Sequence, residues 1–267
     1  MGEFDASPAA SAPPRRRRRR RRGLIALLVV VVVLVAAVIA ADVVARSLIA
    51  SQIESSVRSS LEVDESVAID ADVEGFSALQ QLAVGDLERV VVTTDRVDLG
   101  GLVGSARIVA EGVPIDTSQP VDTVDAVITT DEAAVAALTA TLTTLPVDSV
   151  EIGDGEILVS ATIDVFGLEI PLGLGLVPGA SDGAIDFTPT TVSVNGGVVG
   201  LAEVGQLFGA AADGLTETRS FCIAASLPES VVLDDVTVGD GVVDLALTAD
   251  GVVLTEDALA TTGTCPE

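Results

Sequence analysis

Hydrophobic and polar positions follow three rhythms along this chain, and each predicts a different element. Nineteen uncharged and almost wholly aliphatic residues, Gly23 to Ala41, come first. At ~1.5 Å per residue such a helix is roughly 28 Å long, about the hydrocarbon thickness of a bilayer. From Asp42 to Glu62 the apolar residues then recur at every fourth position. Ala45, Ile49, Ile53, Val57 and Leu61 make one row, with Val44 and Leu48 beside it. Ser51, Gln52, Glu54, Ser55, Arg58 and Ser59 fall elsewhere around the helix, so the pattern is amphipathic. Such a helix either continues the apolar one as a stalk or packs its stripe into the domain, and packing is the default.

From Glu65 the period becomes two. Val67, Ile69, Ala71 and Val73 alternate with Ala68, Asp70 and Asp72; Ile157 to Val165 and Val243 to Ala249 alternate in the same way. These runs predict antiparallel strands with one buried and one wetter face. Gly153-Asp154-Gly155, Asn195-Gly196-Gly197 and Gly239-Asp240-Gly241 tolerate positive φ and are hairpin candidates. Residues 147–164 and 233–250 also match at a constant offset of 86: Val150, Gly153, Asp154, Gly155 and Asp164 recur as Val236, Gly239, Asp240, Gly241 and Asp250. Two copies suggest a duplicated β unit, although hairpins in any sheet converge on this pattern. Helices are expected at Asp131 to Leu145 and Leu201 to Ala212, with a short helical turn at Phe76 to Leu82.

Charge places these elements relative to a membrane. Eight arginines, Arg15 to Arg22, precede the apolar run directly, and cationic flanks stay on the cytoplasmic side. Residues 1–22 are therefore expected to be a disordered basic cytoplasmic tail and 23–41 a transmembrane signal-anchor. A cleavable signal peptide is the alternative, with Val38-Ile39-Ala40 as its cleavage site. Residues 42–64 would be the amphipathic helix of an exported domain, and 65–267 its β-rich body. The expected location is the cell membrane, single-pass with the C-terminal domain outside, or secreted if the segment is cleaved. Of the 40 acids only Glu3 and Asp5 precede Asp42, which leaves 38 acids against six arginines in the exported part. A domain this acidic has no long-range attraction for nucleic acid or anionic headgroups. Cys222 and Cys265 are the only cysteines, and an even count in an oxidising compartment reads as one disulfide.

Catalytic classes fall away in turn. The chain contains no His, Lys, Tyr or Trp, so nucleophile–histidine arrangements and histidine-ligated zinc or heme are impossible. A carboxylate pair for glycoside hydrolysis remains conceivable, but such sites usually hold sugars against aromatic rings, and this chain offers only Phe. No enzyme and no cofactor are expected. Asp70-Ala71-Asp72-Val73-Glu74-Gly75 resembles the start of a calcium loop, yet its twelfth position is Gln81, and a strand with acids on its wet face reads equally from the same residues. What remains is apolar capacity. Val, Leu, Ile and Ala suit acyl chains, each buried methylene contributing ~0.8 kcal/mol, but they also suit a plain core.

One segment tips that balance. Val73-Glu74-Gly75-Phe76, then Leu79-Gln80-Gln81-Leu82, Gly85 and the strand Asp86 to Val90 resemble the N-terminal signature of the LmeA-like phospholipid-binding family of the actinobacterial envelope. The later Arg107 to Gly112 and Thr129 to Leu138 fit the same pattern. The resemblance implies an envelope domain that binds phospholipid or another acyl-chain lipid. It also implies an α+β, mostly antiparallel fold in which a curved sheet packs around a long N-terminal helix, like tubular lipid-binding domains. The residues expected to contact lipid are Ile49, Ile53, Val57 and Leu61 on the helix, with Phe76, Leu79 and Leu82 at the groove entrance. A membrane is the other expected partner, nucleic acid is not, and protein partners are undefined. An anchored structural or protein-interaction module of the envelope is the alternative function.

Overall fold

The computed structural model describes residues 16–60, 67–99, 101–142, 147–165, 168–201, 203 and 217–265. One continuous helix, α1, runs from Arg16–Ser60. Among the described residues it is the one helix long and apolar enough to cross a membrane. The chain divides into two compact units, Met1–Ala45 and Arg46–Glu267. In the first, the described apolar side chains Val30 to Val35, Val38 and Ile39 are exposed. That exposure suits a helix whose solvent is lipid rather than water.

The second unit is an α+β domain built on antiparallel pairing throughout. Strands β1 (Ile69–Glu74), β2 (Asp86–Leu99), β3 (Leu102–Pro114) and β4 (Pro120–Asp131) are followed by β5 (Val147–Gly153), β6 (Glu156–Val165), β7 (Leu168–Ser181) and β8 (Ala184–Val194). Then come β9 (Gly197–Gly200), β10 (Arg219–Cys222), β11 (Val232–Val238) and β12 (Val242–Val253). Among the described residues it also has the short helices α2 (Ala78–Val84), α3 (Glu132–Leu142) and α4 (Glu256–Ala260), with a 3-10 turn at Ala224–Ser226. The first sheet has the order β1-β2-β3-β4-β12-β11, and the second β10-β8-β7-β6-β5 with β9 also on β8.

Neither sheet curls around α1 or closes, which corrects the expected curved sheet packed around a long helix. The C-terminal hairpin β11–β12 completes the first sheet by pairing with β4, so β5 to β10 must form a sheet of their own. The main core lies between the two sheets and α3. It contains Leu102, Ile128, Val135, Leu138, Ile152, Ile157, Ile185, Val236 and Leu245, and no residue of α1. With two sheets burying each other's apolar faces, no helix is needed at the centre.

Within the second unit, residues 46–60 of α1 instead lie along the free edge of β1. Arg46 donates to the carbonyls of Val73 (2.5 Å) and Gly75 (2.8 Å), Arg58 donates to the Val67 carbonyl (3.2 Å), and Glu54 accepts from the Ala71 amide (3.3 Å). The polar side of the helix thereby supplies partners to an edge that would otherwise offer unpaired backbone groups to another chain.

The hairpin turns follow the positive-φ residues. Asp154 and Gly155 (φ 53° and 82°) join β5 to β6, and Asn195 and Gly196 (φ 52° and 79°) join β8 to β9. The β11–β12 turn has Gly241 at φ 80°. The repeated segments are both hairpins, and they share a register. Val150 faces Val159 and Ile152 faces Ile157 in one; Val236 faces Leu245 and Val238 faces Val243 in the other. Each slips its register at the equivalent place, between Val147 and Ser149 and between Leu233 and Asp235. Each also supplies an outermost strand, β5 to the second sheet and β11 to the first.

The disulfide joins Cys222, at the end of β10, to Cys265 beyond α4. Around it the C-terminal segment is bonded to the body through Gly263 N–H to Leu227 C=O (3.1 Å) and Glu229 N–H to Thr261 C=O (2.9 Å). The expected helix over Leu201 to Ala212 lies mostly outside the described residues.

Candidate lipid-binding surface

Pairing across the first sheet sets up its functional face. Directly opposed residues of an antiparallel pair project to the same side. One row therefore runs Val73, Val90, Ala110, Val124, Ala249, and a second runs Ala71, Val92, Ile108, Ala126, Leu247, Leu233. A third runs Ile69, Thr94, Ala106, Ile128, Leu245, Val236. Apart from Thr94, every member is aliphatic.

Different partners cover the two ends of this face. At the β1–β2 end, Ile49, Ile53 and Val57 of α1 pack against a small cluster that includes Ile69, Val73, Val90 and Val92. At the β12–β11 end the rows enter the core shared with the second sheet. Between these ends Ala110 and Val124 are half-buried and belong to neither cluster, flanked by half-buried Ile108, which packs against the α1 cluster, and Ala126, which packs against the main core. They form an aliphatic strip about two strands wide, roughly 10 Å, with the apolar stripe of α1 as one wall.

The expected lipid contacts thus separate into two groups. Ile49, Ile53 and Val57 line the strip, while Leu61 lies outside the described residues. Phe76, Leu79 and Leu82 belong to a different surface, at and just before α2. Phe76 is 88% exposed, Leu79 38% and Leu82 42%, with Val84 and Ile115 exposed beside them. Sequence reading missed the floor residues Ala110, Val124 and Ala126. The signal lay in the alternation within β3 and β4, but only the strand register shows that they adjoin the α1 cluster.

The turn into α2 is built with care for backbone groups. Ser77 caps the helix, its Oγ accepting from the Gln80 amide, and Gly85 closes it at φ 98°. Gly75 sits at φ 115°, where a Cβ would strike Gln81 and Glu88. Gln81 is buried at 3% exposure; it donates to the Glu74 carbonyl (3.1 Å) and accepts from the Glu88 amide (2.9 Å). One side chain therefore ties α2 to both β1 and β2.

Two cavities among the described residues bear on what the domain holds. An open cleft of about 640 Å³ beside α2 is lined by Gln80, Asp86, Glu88, Gln119 and Asp122 among others. Its carboxylates oppose a phosphate headgroup. A dry crevice of about 30 Å³ in the main core, bordered by Leu102, Leu138, Phe187 and Phe221, is far smaller than an acyl chain. Arg89, a conceivable headgroup contact, is already paired with Glu74 (3.1 Å) and Glu111 (2.9 Å). The calcium-loop residues form strand β1 with Asp70, Asp72 and Glu74 exposed. Among the described residues no group of three or more potential ligands is arranged for a metal ion.

The described chain joins a membrane-competent helix to an acidic α+β domain with an aliphatic strip on one sheet face. The model of the LmeA-like phospholipid-binding family matches residues 40–248, and the chain belongs to that family. Neither a comparison with curated proteins nor one with solved structures returns a match.

Proposed function

We propose that this is a single-pass membrane-anchored protein whose extracytoplasmic domain binds phospholipid acyl chains non-covalently, without cofactor or catalysis. On this reading residues 1–22 stay in the cytoplasm, 23–41 form the anchor, and the domain from residue 42 onward works at the outer leaflet. It shuttles lipid or maintains envelope lipoglycan.

The observation that carries the proposal is the half-buried aliphatic strip. Ile108, Ala110, Val124 and Ala126 form its floor and Ile49, Ile53 and Val57 its wall, in a chain belonging to a phospholipid-binding family. An acyl chain laid there exchanges water for dispersion contact along its length and requires no charged clamp. The small Ala110 and Ala126 keep the floor low beneath it. Headgroup recognition through charge is not part of the reading, because the domain has no Lys and six arginines against 38 acids, and Arg89 is engaged by two carboxylates.

Uptake of a fluorescent fatty acyl probe by the full chain in detergent tests this. Saturable binding that phospholipid competes away supports acyl-chain binding. No saturable uptake removes it and leaves an anchored structural or interaction module.

A further inference from the structure

Among the described residues the most exposed large hydrophobic side chain, Phe76, stands at the entrance to α2. A helix entered through a capping serine often has a hydrophobic residue just before the cap, folded back onto an apolar residue at the fourth helical position. Here the residue before Ser77 is Phe76, but the fourth position is Gln81, which is buried and committed to Glu74 and Glu88. Phe76 is thus left 88% exposed on a turn held by the Arg46 hydrogen bond to Gly75. Leu79 and Leu82 share one side of α2, while Ala78 and Gln81 face the body. Val84 and Ile115 extend the surface, Ile115 being held there by its amide N–H donating to the Gly85 carbonyl (2.9 Å). Leaving the largest side chain of a supported turn in water costs free energy, so such a surface marks a contact.

Two observations select the partner. From Gly75 to Gly85 there is no charged residue, in a domain with 38 acids and six arginines. A stretch without carboxylates can enter an apolar medium without the cost of burying charge. Second, Arg46, which holds this turn, is only five residues beyond Ala41, the end of the apolar run. Whatever path the chain takes, five residues reach at most about 18 Å.

We infer that Phe76, Leu79 and Leu82, with Val84 and Ile115, form a wedge that enters the outer leaflet of the bilayer in which the chain is anchored. The inference rests on the anchored topology proposed above. It gives these residues a role distinct from the strip: they hold the domain against the lipid surface, and the strip receives the chain. The acidic body stays in water and the uncharged wedge in the interface, so docking needs no anionic lipid.

The chain has no Trp or Tyr, so a single tryptophan reports its own surroundings. Full-length F76W would be reconstituted in phosphatidylcholine vesicles with and without acyl-brominated phosphatidylcholine. V198W, at a 74% exposed residue of β9, serves as the comparison. F76W should show blue-shifted emission and lose most of it to brominated lipid, with V198W unaffected. An unquenched F76W, or equal quenching of both, overturns the wedge. A third arm returns the protein to detergent with only its copurified brominated lipid. Quenching that persists there means that the indole touches a held lipid rather than the bilayer, which also overturns the wedge while leaving lipid binding standing. Conversely, failure of acyl-probe uptake with full quenching in vesicles removes lipid holding but not the wedge.

Discussion

Replacing Gln81 by alanine tests how the α2 turn is supported. The side-chain amide provides one hydrogen bond to the Glu74 carbonyl and one to the Glu88 amide, and the residue is 3% exposed. Its removal leaves a donor and an acceptor without partners, at about 1–3 kcal/mol each. Helix α2 lies at the surface, so water will enter and relieve part of that penalty. A total near the lower end, about 2–3 kcal/mol, is therefore expected. For a domain of this size that corresponds to a fall in Tm of about 4–12 °C. Thermal unfolding of the full chain in detergent, followed by far-UV circular dichroism, measures it directly. Gln81→Glu keeps an acceptor for the Glu88 amide but sets a carboxylate against the Glu74 carbonyl at a buried site, and should destabilise at neutral pH at least as much as Gln81→Ala. If Gln81→Ala unfolds within about 1 °C of wild type, the two bonds do not hold the turn and its rigid support is wrong.

Three other outcomes follow from the same structure. Cys222→Ser should lower stability by up to ~4 kcal/mol, the chain-entropy value for a loop of this length, and should expose the C-terminal segment to carboxypeptidase; an unchanged urea midpoint would contradict it. Asp116 accepts hydrogen bonds from the Ser118 side chain and amide and from Gln119, which lowers its pKa from the ordinary 3.8. A depressed carboxylate contributes stability above the unfolded pKa and loses it as pH falls through the folded one. Hydrogen exchange at the Ser118 amide should therefore accelerate, beyond the intrinsic trend, only below about pH 3.8 in wild type and show no such step in Asp116→Asn. Ala110→Phe should fill the strip floor and reduce acyl-probe capacity while leaving the wedge intact; undiminished capacity would move the lipid site elsewhere.

Local features of this fold were legible and global ones were not. The glycine-containing turns could be read because positive φ restricts residue choice: Asp154-Gly155 and Asn195-Gly196 turn the chain as their composition demands. Asp182-Gly183 makes the same kind of turn (φ 45° and 79°) but was not singled out. The α1 row was readable because Ile49, Ile53 and Val57 keep helical spacing, and the disulfide because only two cysteines exist. The partition into two open sheets was not readable. It depends on β12 choosing β4, a pairing such as Leu245 with Ile128 that spans more than a hundred residues and leaves no local mark. The strip's floor residues are neighbours through the local β3–β4 pairing, Ile108 with Ala126 and Ala110 with Val124, but their place between the α1 cluster and the shared core leaves no local mark. The exposure of Phe76 was hidden too, since the deciding fact is that Gln81 turns inward.

Native mass spectrometry of the full chain, extracted from its membrane in mild detergent, tests the central claim most directly. Phospholipid bound in the strip should survive transfer, giving the polypeptide mass plus one phospholipid, with the adduct depleted in Ala110→Phe. A bare polypeptide mass in the presence of excess phospholipid would contradict the account.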